Sequence, residues 1–174
     1  MLRILILVVL VVFTQHCEVV HGRGGHEGRG GGGKGRGAEN RGRGHMRNQP
    51  IAFTARMSEN ATNIQPNDTI PYTMNVVNSG NGYQCNVFTA PKNGFYFFTW
   101  SVTSKFPVVT ALVKNNDTIA VLSCHNFSNP GKRNTCSQST TIQLTAGDQV
   151  SVRATETMDI VSASYWPSFS GFRL

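Results

Sequence analysis

The sequence predicts an all-β domain, folded as an antiparallel sandwich over residues 50–174 and preceded by a disordered glycine- and arginine-rich stretch. Three observations lead there. Short runs of alternating apolar and polar residues recur between turn residues, and no long stretch repeats apolar residues at helical spacing. About ten such runs leave no room for crossover helices.

The first element is residues 1–21, read as a secretory signal peptide. Arg3 supplies a positive start, and Ile4 to Phe13 is a run of ten apolar residues. That is about half of the roughly 20 a membrane-spanning helix needs. Polar and then compact residues follow, which puts cleavage between Cys17 and Gly22 and makes the mature chain secreted and extracellular. No later stretch reaches spanning length, so no transmembrane segment is expected.

Residues 22–49 form the second element. Twelve glycines and no proline leave it too little apolar surface to offset its backbone entropy, so disorder is expected. Glycine falls at every third position from Gly22 to Gly31, as in a collagen stem, but the register breaks at Lys34 and Asn40. The Arg-Gly-Gly steps at Arg23 and Arg29 have the composition of an RNA-binding tract, a partner an exported protein rarely meets. A flexible cationic tether is the remaining reading, suited to acidic glycans, membranes or mineral surfaces. The formal charge is +7, of which residues 22–47 hold +5 and residues 48–174 only +2. A domain so nearly neutral is not built to grip nucleic acid.

The third element is the domain itself. Strands are expected near 51–55, 72–77, 84–88, 96–102, 108–114, 118–124, 141–144, 150–154, 160–165 and 168–174. Tyr96, Phe98, Trp100 and Val102 share one face of a strand and Phe95, Phe97, Thr99 and Ser101 the other. Apolar groups on both faces mean that both are covered. Turn chemistry separates the strands at Pro91-Lys92-Asn93-Gly94, Asn115-Asn116-Asp117 and Ala146-Gly147-Asp148.

Cys124 and Cys136 bracket a loop containing Pro130-Gly131 and are expected to form a disulfide in an oxidising compartment. Cys85, in a strand-like alternation, is read as a buried thiol. A link to another chain, or to Cys17 if cleavage precedes it, are the alternatives. Asn60, Asn67, Asn116 and Asn126 head Asn-x-Ser/Thr sequons and are expected glycosylation sites on exposed loops. No catalytic set is legible. His125 is the one histidine of the domain, stands in a polar loop, and reads as a surface residue rather than a general base. Cys124, His125 and Cys136 are too few and too scattered for zinc. A calcium site on Asp68 or Asp117 has no motif behind it. Neither enzyme nor cofactor nor metal is expected.

One motif goes further. Phe88-Thr-Ala-Pro-Lys-Asn-Gly94-Phe-Tyr96-Phe-Phe98-Thr-Trp100 follows the Phe, five residues, Gly-x-Tyr-x-Phe pattern of the globular domains of the complement C1q family, with Trp100 where Phe or Tyr is usual. Tyr72, Asn78 and Tyr83 stand at the family spacing, though the gap from Tyr83 to Phe88 is two residues short. Ile51-Ala-Phe-Thr-Ala55 resembles the opening strand and Phe169-Ser-Gly171-Phe172-Arg-Leu174 the closing one. The resemblance implies a ten-stranded jelly roll shared with tumour necrosis factor, assembled as a homotrimer. It also implies recognition rather than catalysis: lectin-like binding of glycans or microbial surfaces in innate immunity. The alternative is an extracellular or shell-matrix component, or a cytokine-like ligand of a cell-surface receptor. Ligand loops sit at the ends of sandwiches, so 115–117, 125–133 and 155–159 are the candidate segments, with Lys132, Arg133 and His125 the candidate contacts to an anionic ligand.

Overall fold

The computed structural model describes residues 49–125 and 131–174. The expected signal peptide, the glycine- and arginine-rich stretch through residue 48 and the sequon at Asn126 lie outside the described residues. Among those described, twelve strands follow in order: β1 (Ala52–Arg56), β2 (Ala61–Ile64), β3 (Met74–Ser79), β4 (Tyr83–Gln84), β5 (Val87–Thr89), β6 (Gly94–Ser104), β7 (Val108–Lys114), β8 (Asp117–Cys124), β9 (Asn134–Leu144), β10 (Gln149–Ala154), β11 (Met158–Val161) and β12 (Ser168–Arg173).

Ten of them make two five-stranded antiparallel sheets, ordered β3-β1-β12-β6-β9 and β4-β5-β10-β7-β8, while β11 and β2 pair separately. This is the expected jelly-roll sandwich. The first and last strands are central neighbours, Ala52 opposite Phe172, and β12 pairs in turn with β6, Phe169 opposite Trp100.

The alternation in the sequence becomes an inside and an outside. Along β6, Tyr96, Phe98, Trp100 and Val102 are buried, while Phe97, Thr99 and Ser101 are half-buried on the outer face. The core is a stack of rings: Phe53 lies 4.7 Å from Tyr83, 5.0 Å from Phe88 and 4.9 Å from Phe169, centroid to centroid. Buried polar tips find partners, as they must in a dry interior. The Tyr72 hydroxyl donates to the Ser101 carbonyl at 2.9 Å, the Tyr83 hydroxyl to the Tyr72 carbonyl at 3.0 Å, and the Trp100 indole to Thr110 Oγ1 at 3.1 Å. Burial pushes the Tyr72 and Tyr83 hydroxyls well above the ordinary tyrosine range.

Four expectations are corrected. The run at 84–88 is not one strand but a hairpin, β4 to β5, turning at Cys85 (φ 50°) and Asn86 (φ 64°). Two positive φ values in a two-residue loop are what the right-handed strand twist selects. Cys85 is therefore exposed on a turn, not buried in a strand, and it is disulfide-bonded rather than a thiol. The run read as a strand over 160–165 ends at Val161 and gives way to a loop. Finally, β2 was not anticipated, and β9 starts at Asn134, seven residues earlier than expected.

The expected disulfide is present. Cys124 ends β8 and Cys136 lies in β9, with Cα atoms 5.6 Å apart. Since β8 and β9 are the edge strands of opposite sheets, the bond staples the two sheets along one open side.

Candidate functional site

The sandwich has two ends, and they differ. At the near end lie the entry to β1 and the exit from β12: the Leu174 N–H donates to the Phe95 carbonyl at 2.9 Å, and Arg173 Nε to the Asn93 carbonyl at 3.1 Å. The β7–β8 turn belongs to this end too. Asn115 donates to Asp148 Oδ1 at 3.1 Å, and Lys114 pairs with the same carboxylate at 3.0 Å. The Thr145 backbone N–H, helped by Asn115 and Lys114, holds the Asp148 carboxyl down at about 2. These polar groups are committed to holding the turns.

The far end carries the other two candidate loops. The Thr155 N–H donates to the Val109 carbonyl at 3.1 Å, and Asn134 Nδ2 to the His125 carbonyl at 3.4 Å. His125, Lys132 and Arg133 are all exposed there, beside the disulfide. The candidate segments thus separate: His125, residues 131–133 and residues 155–159 lie at the far end, and 115–117 at the near end.

Sheet order then decides what stands beside the basic loop. Across the far rim come the ends of β3, β1, β12, β6 and β9, hence Met74, Arg56, the loop before Ser168, the Lys105-Phe106 turn and Arg133. Neighbouring strands are about 4.8 Å apart and rise about 3.3 Å per residue, so three strand spacings and a three-residue stagger put the entry to β9 roughly 17 Å from Arg56. The loop before Ser168 holds Tyr165 and Trp166, which are 78% and 67% exposed, the largest exposures among the large apolar side chains described. The Arg56 guanidinium sits 4.6 Å from the centre of the Trp166 ring, a cation–π contact. Phe106 is half exposed at the tip of the next turn. Acidic groups are present at this end as well, Glu59 and Glu156 in loops off the rim.

Sequence reasoning reached Lys132, Arg133 and His125 but missed Arg56, Phe106, Tyr165 and Trp166. Pro167 was the available signal, because proline interrupts a strand pattern and marks its end. Of the sequons, Asn60, Asn67 and Asn116 are exposed. Among the described residues no group of three His, Cys, Asp or Glu side chains is placed to hold a metal ion, and Asp68 accepts from the Gln65 N–H at 2.8 Å within its own turn. No helix there is long and apolar enough to cross a membrane.

The family model of the C1q domain matches residues 52–174. No curated protein matches the chain. Among solved structures, the globular domain of the zebrafish complement 1qA protein is similar at a TM-score of 0.59 and 18% identity, covering 71% of this chain and 97% of that one. The Eiger TNF from S. frugiperda is similar at 0.56 and 14% identity, covering 73% and 94%. Murine APRIL is similar at 0.56 and 12%, covering 73% and 100%. Likeness at these identities speaks for the fold.

Proposed function

The chain belongs to the C1q-domain family, and from that premise we propose that it is a secreted homotrimer that recognises extracellular glycans or microbial surfaces through the far end of its sandwich. C1q and TNF domains typically form trimers, bind receptors or ligands, and act without catalysis. The observation that carries the reading is the far rim itself. It gathers exposed cations and exposed aromatic rings at the end away from residue 50, where a tethering segment joins, and so leaves them free to meet a surface.

Trimerisation is supported by the outer face of the β6–β12 sheet. Phe95 and Leu174 are more than half exposed, and Phe97 packs on Phe172 at 5.4 Å between ring centres, both on that outer face. A contiguous apolar patch of this kind calls for a partner. Threefold assembly would also multiply weak single-site binding. N-glycans on Asn60, Asn67 and Asn116 are part of the proposal, as is cleavage of a signal peptide ahead of Cys17, which leaves a cysteine in the chain for Cys85 to bond.

The test is to express the full chain through a secretory route, size it by sedimentation, and probe it on arrays of glycans and microbial cells. The expected result is a trimer that binds one or more saccharide classes. A monomer at micromolar concentration would overturn the assembly. Binding to a cell-surface receptor with no glycan or microbial binding would favour a cytokine-like ligand instead, and recovery only from mineralised matrix a structural component.

A further inference from the structure

Within the far rim, we infer that Tyr165, Trp166 and Arg56 form a preorganised platform for an acidic saccharide, a pyranose ring bearing a carboxylate or sulfate; the inference rests on the recognition reading above. The backbone is the first ground. Tyr165 and Trp166 are consecutive and both left-handed, φ 64° and 53°, a conformation bulky side chains rarely adopt. It persists because the loop is tied on several sides. The Trp166 N–H donates to the Ala163 carbonyl at 3.1 Å, the Ala163 N–H to Asn60 Oδ1 at 2.8 Å, and the Met57 N–H to the Pro167 carbonyl at 3.0 Å. Backbone held against its preference is characteristic of ligand sites.

The rings are the second ground. Phe53, Tyr83, Phe88, Phe98 and Phe169 fill the core, whereas the strained loop leaves its two aromatic rings mostly exposed to solvent. The flat faces of exposed rings suit the apolar face of a pyranose.

Arg56 is the third. Its guanidinium is stacked on the Trp166 ring, and Nη2 donates to the Met74 sulfur at 3.3 Å. Among the described residues it pairs with no carboxylate. A planar fork fixed beside an aromatic shelf presents parallel N–H donors to an oxyanion. Polar side chains (Thr54, Thr99, Ser101, Ser168 and Ser170) separate the platform from the apolar patch of Phe95, Phe97 and Phe172 on the same sheet. The platform is thus distinct from the proposed subunit contact.

The experiment titrates fluorescent oligosaccharides of hyaluronan, heparin and neutral dextran into the secreted full chain. Wild type should bind hyaluronan or heparin and not dextran. Trp166→Ala and Arg56→Gln should each weaken that binding at least tenfold, and Arg56→Lys, which keeps charge but not the fork, should fall between. Lys92→Gln removes one charge at the near end and should stay within twofold. Bound saccharide should also shield Trp166, the exposed tryptophan, from acrylamide quenching. Four outcomes overturn the inference: unchanged affinity in Trp166→Ala, equal losses in Lys92→Gln, a platform variant sedimenting as a smaller species, or binding to phosphatidylserine vesicles but to no saccharide. If wild type binds none of the three saccharides and no glycan or microbial cell on the arrays, the recognition reading falls with it. If only the variants fail to respond, that reading stands and the platform alone is withdrawn.

Discussion

Gly171 has no room for a side chain. A Cβ built there would lie 2.6 Å from Phe98 Cδ1 and 2.7 Å from Phe53 Cε1. Neither ring can withdraw, since Phe53 is stacked between Tyr83 and Phe88, and Phe98 packs on Phe88 and Phe169. The glycine is there for close approach, not for an unusual backbone angle. Gly171→Ala should therefore overpack the core and cost about 1–3 kcal/mol, read as a lower urea midpoint. Ser170→Ala, one residue away on the half-buried outer face, should change stability by no more than about 0.5 kcal/mol. Equal midpoints for the two variants would mean that the ring stack yields. The sequence announced the glycine through the Phe-x-Gly-Phe run of the closing strand, but only the register of β12 against β6 shows which rings it faces.

Strands decide where legibility ends. Along β6, alternate aromatics were enough to assign inside and outside, because burial follows the two-residue period from Tyr96 to Val102. Its partner β9 was only half legible: Ile142 and Leu144 mark the last turns of the pleat, whereas Asn134–Thr140 is polar on both faces at a sheet edge. β2 buries only Ile64 fully and so has no apolar pattern to read. The β4–β5 turn uses Cys85 in a conformation that asparagine advertises and cysteine does not. Tyr165 ended the alternating run read as a strand over 160–165 and Trp166 followed it, and period alone cannot tell a ring in the core from one in solvent. What was fully legible at this scale was the staple. The cysteines at 124 and 136, 12 apart in sequence, join the edge strands β8 and β9. Replacing both by serine should destabilise the domain by about 2–4 kcal/mol, since the closed loop no longer restricts the unfolded chain. The same variant frees the segment carrying His125, Lys132 and Arg133, so proteolysis should cut first between the former cysteines. Unaltered stability and cleavage elsewhere would show that β-pairing alone holds that side closed.

At the scale of the whole molecule the two halves of one sheet face have different fates. Phe95, Phe97 and Phe172 lie toward the near end and Arg56 and Trp166 at the far rim, with serines and threonines between. An interface that holds a stable oligomer together buries about 1,200–2,000 Å² in total, more than a few rings provide, so the apolar patch would be the centre of a wider contact. A charge placed at that centre has to be desolvated for the subunits to meet. Phe172→Asp should therefore convert the proposed trimer to monomers in sedimentation. Its strand signature in far-UV circular dichroism should persist, because Phe172 is 44% exposed and faces away from the ring stack. Affinity for a surface-bound saccharide should drop by about 10²–10⁴, the part supplied by simultaneous engagement, while affinity for a soluble oligosaccharide stays unchanged. That split separates assembly from recognition. A variant that loses both affinities equally would place the ligand between subunits, and one that remains trimeric would move the contact to another face of the sandwich.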